Sequence, residues 1–181
     1  MDVLVEDMLK DLVRAIPDFP KPGIMFRDIT TLLADPEGFA ATVEAMAART
    51  RPLNVDIVVG IEARGFILGA ALAAALGAGF VPVRKAGKLP GPTVGIDYVL
   101  EYGTDRLELH KGQVPAGARV VLVDDLIATG GTAIAAVQLL REQGAALLMA
   151  LFAIDLPALG GMVALQAEGV ATAALMAFEG H

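Results

Sequence analysis

A chain of 181 residues fits one compact domain, and its 55% hydrophobic content includes so much Ala beside its 20 glycines that the apolar fraction overstates the apolar area. A formal net charge of -7 argues against a nucleic-acid-binding surface, because such a surface needs clustered Lys and Arg to displace counterions from phosphates. With no Cys and no Ser in the chain, disulfides, thiolate chemistry and a Ser-His-Asp triad are excluded, and His110 and His181 are the only histidines.

The acidic N-terminus, Asp2 with Glu6 and Asp7, lacks the basic residues of a secretory signal, which points to a cytoplasmic protein. Leu4 to Ile16 has apolar residues at helical spacing and stops before Pro17, so it predicts a docked helix. Pro17 to Arg27, with three prolines and Gly23, predicts an irregular segment lying over the surface as a hood. Asp35-Pro36 is an N-cap followed by Pro at the first helical position and predicts a helix to about Arg49.

An alternation follows. Apolar runs at Val55 to Gly60, Gly79 to Val83, Arg119 to Asp124 and Leu147 to Ile154, with helices at Phe66 to Leu76 and Thr132 to Gln143, predict an α/β fold. Its central sheet is mainly parallel and flanked by helices. The charge-free run Gly65 to Val83 is long enough for a membrane span, but Gly77, Gly79 and Pro82 divide it into a helix and a strand, and no membrane is expected. Lys85 to Gly103 is rich in Gly and Pro and predicts a long flexible loop, with Tyr98 to Leu100 and Leu107 to Leu109 flanking it as a hairpin. A weak helix and a last strand near Ala173 to Met176 close the chain, and no linker divides residues 1–181.

The segment Val120-Val-Leu-Val-Asp-Asp-Leu-Ile-Ala-Thr-Gly-Gly-Thr132 carries the chemistry. In an open parallel sheet ligands bind outside the carboxyl ends of the strands, and Asp124 and Asp125 fall there. Ala128, Thr129, Gly130, Gly131 and Thr132 can present successive backbone N–H groups at a helix N-terminus, which makes a phosphate cradle. Carboxylates beside a cradle suit a sugar phosphate, whose vicinal hydroxyls donate to them. The Walker pattern fails because no Lys follows Gly131, and the dinucleotide fingerprint lacks its third Gly.

This segment resembles the PRPP-binding signature of type I phosphoribosyltransferases. Four further blocks, Phe19 to Ile29, Glu62-Ala-Arg-Gly-Phe66, Arg84 to Thr93 and Tyr98-Val-Leu-Glu-Tyr-Gly103, are similar to the branch of that family that acts on adenine. The resemblance runs from about Asp18 to Gln143. It implies the type I phosphoribosyltransferase fold with a small N-terminal hood, about residues 1–34, and a flexible catalytic loop, about residues 85–103. It implies purine salvage: transfer of the 5-phosphoribosyl group from PRPP to adenine, giving AMP and pyrophosphate.

The resemblance also implies roles for named residues. Glu62, Ala63 and Arg64 would hold pyrophosphate, Arg64 contacting either the leaving pyrophosphate or the base pocket, with a cis peptide between Glu62 and Ala63, while Arg84, Lys85 and Lys88 would neutralise its charge as it leaves. Phe26 would stack on the base, with backbone groups at Met25 and Arg27 reading its polar edge. Glu101 would be the catalytic carboxylate, exchanging a proton with the purine, and Tyr102 would help to close the loop over the site and exclude water. Mg2+ would be held mainly by PRPP and pyrophosphate, with no all-protein metal site, and the enzyme would be a homodimer. Two alternatives stay open: a 6-oxopurine enzyme using xanthine, hypoxanthine or guanine, and a PRPP-sensing regulator. Ile154-Asp-Leu-Pro157 stands where the family has a Glu-Leu pair, which leaves base specificity less constrained.

Overall fold

Apolar runs without polar alternation become the parallel strands of a central sheet, because strands buried on both faces have no solvent side to mark. The computed structural model describes residues 3–99 and 103–179. In chain order these form α1 (Val3–Asp11), β1 (Arg14–Pro17), β2 (Met25–Asp28), α2 (Thr30–Ala34), α3 (Pro36–Thr50), β3 (Ile57–Ile61), α4 (Arg64–Leu76) and β4 (Gly79–Lys85). There follow β5 (Thr93–Val99), β6 (Thr104–His110), β7 (Arg119–Ile127), α5 (Gly131–Glu142), β8 (Ala146–Asp155), α6 (Gly161–Ala167) and β9 (Thr172–Ala177).

The main sheet has the order β5-β6-β4-β3-β7-β8-β9. Neighbours from β4 to β9 pair in parallel, and β6 and β5 extend the β4 edge antiparallel. One face carries α5 and α6 over Val59, Leu122 and Phe152; the other carries α1, α3 and α4 over Val58, Val121 and Leu151. Leu122 and Phe152 are fully buried, so truncating either to Ala removes about 2–5 kcal/mol of stability. Among the described residues no helix is long and apolar enough to cross a membrane.

Helix α3 begins as its sequence predicts. Asp35 Oδ1 accepts the Gly38 N–H at 2.7 Å with Pro36 in the first turn, a cap worth about 1 kcal/mol.

Four expectations need correction. The first helix stops at Asp11, where Leu12 and Val13 N–H close its last turn on Leu9 and Lys10 carbonyls, and Ile16 lies in a strand instead. The segment after Pro17 is not wholly irregular: β1 and β2 form an antiparallel ribbon with Ile16 opposite Phe26. The ribbon satisfies backbone groups that the prolines leave free on either side of the turn. The hairpin expected at Tyr98 is present but starts earlier: residues 93–97 are not loop, because β5 pairs residue for residue with β6 from Thr93–His110 to Val99–Thr104. The Gly and Pro signals before Thr93 belong to the connection into that strand. Finally β7 does not end at Asp124; its ladder with β8 continues to Ile127–Asp155, and the short helix α2 carried no periodic signal long enough to see.

Candidate functional site

Strand order reverses between β3 and β7. From β3 the chain crosses by α4 to β4 on one side, and from β7 it crosses by α5 to β8 on the other, with α4 and α5 on opposite faces. No crossover covers the crevice at such a switch point, so it is where a doubly wound sheet binds ligands. The β3–β7 ladder ends at Gly60–Val123, while β7 runs on, so Asp124 and Asp125 project past β3 with one side open.

A cleft of about 380 Å³ opens there, lined by Glu62, Ala63 and Arg64 after β3, by Asp124 to Ile127 at the end of β7 and Ala128 to Ala133 beyond it, and by Lys85, Tyr98 and Asp105 from the antiparallel edge. Every residue of the expected phosphate cradle, Ala128, Thr129, Gly130, Gly131 and Thr132, is on its wall. Gly130 sits at φ +88°, a left-handed turn that leads directly into α5, where Ile134 N–H closes on the Gly130 carbonyl at 2.8 Å. The N–H groups of the first turn of α5 therefore have no partner within the helix and border the cleft, which favours an anion.

Asp125 is 5% exposed and forms an ion pair with Arg64, its acceptor oxygen meeting Arg64 Nε. The Asp125 N–H donates to Asp124 Oδ1 at 2.8 Å. Burial, and next the charge of Asp125, push the Asp124 carboxyl well above the ordinary carboxylate range. Asp124 thus stands protonated to higher pH than a free aspartic acid. Arg64 bridges two regions, since its guanidinium also lies 5.7 Å from the centre of the Phe26 ring.

The peptide between Glu62 and Ala63 is cis, as the resemblance implies. Glu62 does not face the cleft alone: it accepts from Arg84 at 2.6 Å and from the Lys85 N–H at 3.1 Å, and the Arg84 bond holds its carboxyl below the ordinary range. Arg84 also donates to the Lys88 carbonyl at 3.0 Å, and Lys88 itself is exposed. Neither Arg84 nor Lys88 is among the residues on the cleft wall, whereas Lys85 is, and its ammonium pairs with Asp105 at 2.9 Å.

The hairpin β5–β6 approaches the cradle from the open side, with Val99 O 4.0 Å from the position of a Cβ on Gly131. Tyr98 O–H donates to Asp105 Oδ2 at 3.3 Å, and burial raises the phenol above its ordinary value. Tyr98 and Asp105 were not expected as site residues. Their only signal is that they face each other across the hairpin, which is legible once its register is known. Glu101 and Tyr102 lie outside the described residues.

The hood is built differently. Met25, Phe26 and Arg27 are half-buried on β2, and none lines the cleft directly. Phe26 meets Phe19 edge to face at 5.1 Å and Arg64 on its other contact, while the Arg27 guanidinium stacks 4.4 Å over the Phe178 ring. Asp28 is 6% exposed and accepts the Thr30 N–H at 2.9 Å and Arg14 NH2 at 2.5 Å. These bonds, the Thr30 amide first, lower its pKa to about 2.

All oxygen donors that reach the cleft wall are carboxylates, hydroxyls and backbone carbonyls, a set suited to a hard cation. Among the described residues no group of three or more Asp, Glu or His side chains converges on one point as a metal cage.

Comparison with known proteins places this geometry in context. Residues 29–159 match the family model of the phosphoribosyl transferase domain. The chain is 59% identical over 181 residues to an adenine phosphoribosyltransferase of Methylobacterium sp. (strain 4-46), covering 100% of both chains. Among solved structures, adenine phosphoribosyltransferase from Rhodothermus marinus matches with a TM-score of 0.92 at 44% identity, covering 98% of this chain and 100% of its own. The enzyme from Saccharomyces cerevisiae, crystallised with adenine and an imino-altritol bisphosphate, matches with a TM-score of 0.90 at 39% identity, over 96% of this chain and 99% of that one.

Proposed function

The chain belongs to the adenine phosphoribosyltransferases of the phosphoribosyl transferase family, and from that premise we propose how its cleft moves the 5-phosphoribosyl group of PRPP onto adenine. The products are AMP and pyrophosphate, and the reaction is one of purine salvage. One observation supports this most: a cradle of amides from Ala128 to Thr132 at the N-terminus of α5, beside two carboxylates, lines a cleft at the switch point of the sheet.

In this reading the 5-phosphate occupies the cradle, where backbone N–H groups and the Thr129 and Thr132 hydroxyls satisfy its oxygens. Asp124 and Asp125 accept from the ribose hydroxyls. Because Asp124 holds its proton unusually high, a donor that requires the carboxylate selects the ionised form, and donor affinity rises as pH climbs through that raised pKa. Arg64 fixes Asp125 and offers its remaining N–H groups to pyrophosphate. Lys85, on the cleft wall, contributes charge as the bond from the anomeric carbon to pyrophosphate breaks, with Arg84 and Lys88 behind it and Glu62 and Ala63 supplying the loop.

Adenine lies under the hood, stacked on Phe26 and read by the backbone of Met25 and Arg27. A ring nitrogen of adenine forms the new bond to the anomeric carbon as the pyrophosphate oxygen departs, through an oxocarbenium-like transition state. Glu101 exchanges the purine proton, by resemblance to the family. Mg2+ would be held mainly by PRPP and pyrophosphate oxygens and by waters, and would lower the charge that the cleft must accommodate. We assign the whole chain, 1–181, to one catalytic domain, with residues 1–34 as the hood and 85–103 closing over the donor to exclude water. It works in the cytoplasm as a homodimer.

Pyrophosphate release, measured with PRPP and Mg2+ against adenine, guanine, hypoxanthine and xanthine in turn, tests the assignment. Release with adenine alone is expected. Release with guanine and not adenine overturns the base assignment, and no release with any base overturns the reaction.

A further inference from the structure

The phosphate cradle has a second wall that belongs to a distant part of the chain. Gly161, the first residue of α6, donates its N–H to the Ala128 carbonyl at 2.9 Å. The contact is so close that a Cβ on Gly161 would overlap the Ala128 carbonyl oxygen and lie 2.7 Å from Ile127 Cγ1 and 2.9 Å from Gly130 N. Looking from the other side, a Cβ on Gly130 would meet Gly161 Cα and its carbonyl oxygen at 3.1 Å. Two of these three neighbours are backbone atoms of the cradle itself, which cannot rotate aside as a side-chain tip can. Even the third, on Ile127, belongs to a residue that is 2% exposed and packed in the core.

The hydrogen bond has a directional consequence. In a planar trans peptide the carbonyl and the following N–H point in opposite directions. By drawing the Ala128 carbonyl toward α6, Gly161 turns the Thr129 N–H away from α6, and Thr129 is on the wall of the cleft. Without that bond the Ala128–Thr129 peptide could rotate and present an oxygen where an anion binds.

We infer that Gly161 is a positioning residue for the 5-phosphate: it orients the amide of Thr129 and sets the depth of the cradle without touching the ligand. The inference rests on the proposed use of residues 128–132 for the 5-phosphate. It differs from that proposal in naming α6, about thirty residues further along the chain, as the part that sets the cradle's geometry. A carbonyl displaced by a fraction of an ångström shifts the amides from the positions at which charge-assisted hydrogen bonds form.

The test separates the two anion sites of the donor. Ribose 5-phosphate occupies only the cradle and the ribose site, and magnesium pyrophosphate only the leaving-group site. By titration calorimetry, Gly161→Ala should weaken ribose 5-phosphate at least about tenfold, since losing one hydrogen bond to a charged group corresponds to roughly 10–10²-fold. Its affinity for magnesium pyrophosphate should stay within about twofold of the unaltered protein, with circular dichroism unchanged. Equal loss of both ligands, or of neither, overturns the inference. A measurement on the unaltered protein stands beside it should the variant not fold: the Gly161 amide resonance should shift when ribose 5-phosphate binds and not when magnesium pyrophosphate binds. An unmoved Gly161 amide overturns the inference. If the unaltered protein ignores ribose 5-phosphate altogether, the proposed function fails before Gly161 is in question.

Discussion

The cradle and the hood, which the proposed function assigns to opposite ends of one reaction, are held in place by different means. The cradle is the continuation of a central strand that is hydrogen-bonded on both sides, capped by α5 and backed by α6. The hood is a two-stranded ribbon outside the main sheet, and its functional strand reaches the body through side chains such as Arg64 against Phe26 and Arg27 against Phe178. An isolated hairpin is marginal in water, so the hood depends on those contacts and on its neighbouring helices. In the proposed function the anion is therefore met by amides anchored to the main sheet, and the base by a ribbon seated through side-chain contacts.

The comparison breaks most sharply at the paired carboxylates. Asp124→Asn combined with Asp125→Asn removes both carboxylates proposed to accept from the ribose, each such bond being worth about 1.5–3 kcal/mol, so donor affinity should fall by roughly 10²–10⁴-fold. Calorimetry with PRPP measures this, and adenine recognition in the hood should be unaffected. A double variant that binds PRPP normally would remove the carboxylates from the donor site.

Arg64 joins the two regions, and its loss should register in both. Arg64→Ala leaves Asp125 buried without its partner and removes the cation beside Phe26. Steady-state kinetics should show KM rising about tenfold for PRPP and about two- to fivefold for adenine. A rise confined to PRPP would show that Arg64 serves the donor alone.

Phe178→Leu isolates the hood. Removing the ring under Arg27 forfeits a cation–π contact of about 0.5–1 kcal/mol, so KM for adenine should rise about two- to fivefold with KM for PRPP unchanged. Phe178→Tyr, which keeps the ring, should restore it. A variant with both KM values unchanged would leave the hood seated by other contacts.

The smallest effect is on stability, and its sign is opposite to that on binding. The folded state raises the pKa of Asp124 above its unfolded value, so ionisation is disfavoured in the fold. The resulting penalty is absent below the unfolded pKa and grows as pH rises from there to the folded pKa. At neutral pH, Asp124→Asn should therefore raise Tm, by roughly 2–4 °C if about 1 kcal/mol is recovered, while weakening the donor. The gain should vanish below about pH 4, where both the folded and the unfolded wild-type carboxyl are protonated. A lower Tm at neutral pH would show that the carboxylate stabilises the fold.

The alternation of parallel strands and helices from β3 to β9 and the contiguous run from Asp124 to Thr132 were determined by sequence alone. Each is a local matter of apolar runs, cap residues and turn chemistry, and β7 with its loop carries the proposed donor contacts within nine consecutive residues. What only the tertiary structure decided was set by pairing across distance. Ile16 joins a strand because Phe26 lies opposite it, Thr93 to Val99 is ordered by β6, and Glu62 is engaged by Arg84 rather than left to the cleft. Gly161 meets residues 128–130 only when α6 folds back against them. Local chemistry marks which groups can bind an anion; the orientation of those groups depends on close packing between segments far apart in the chain, for which a linear pattern holds no periodic signal.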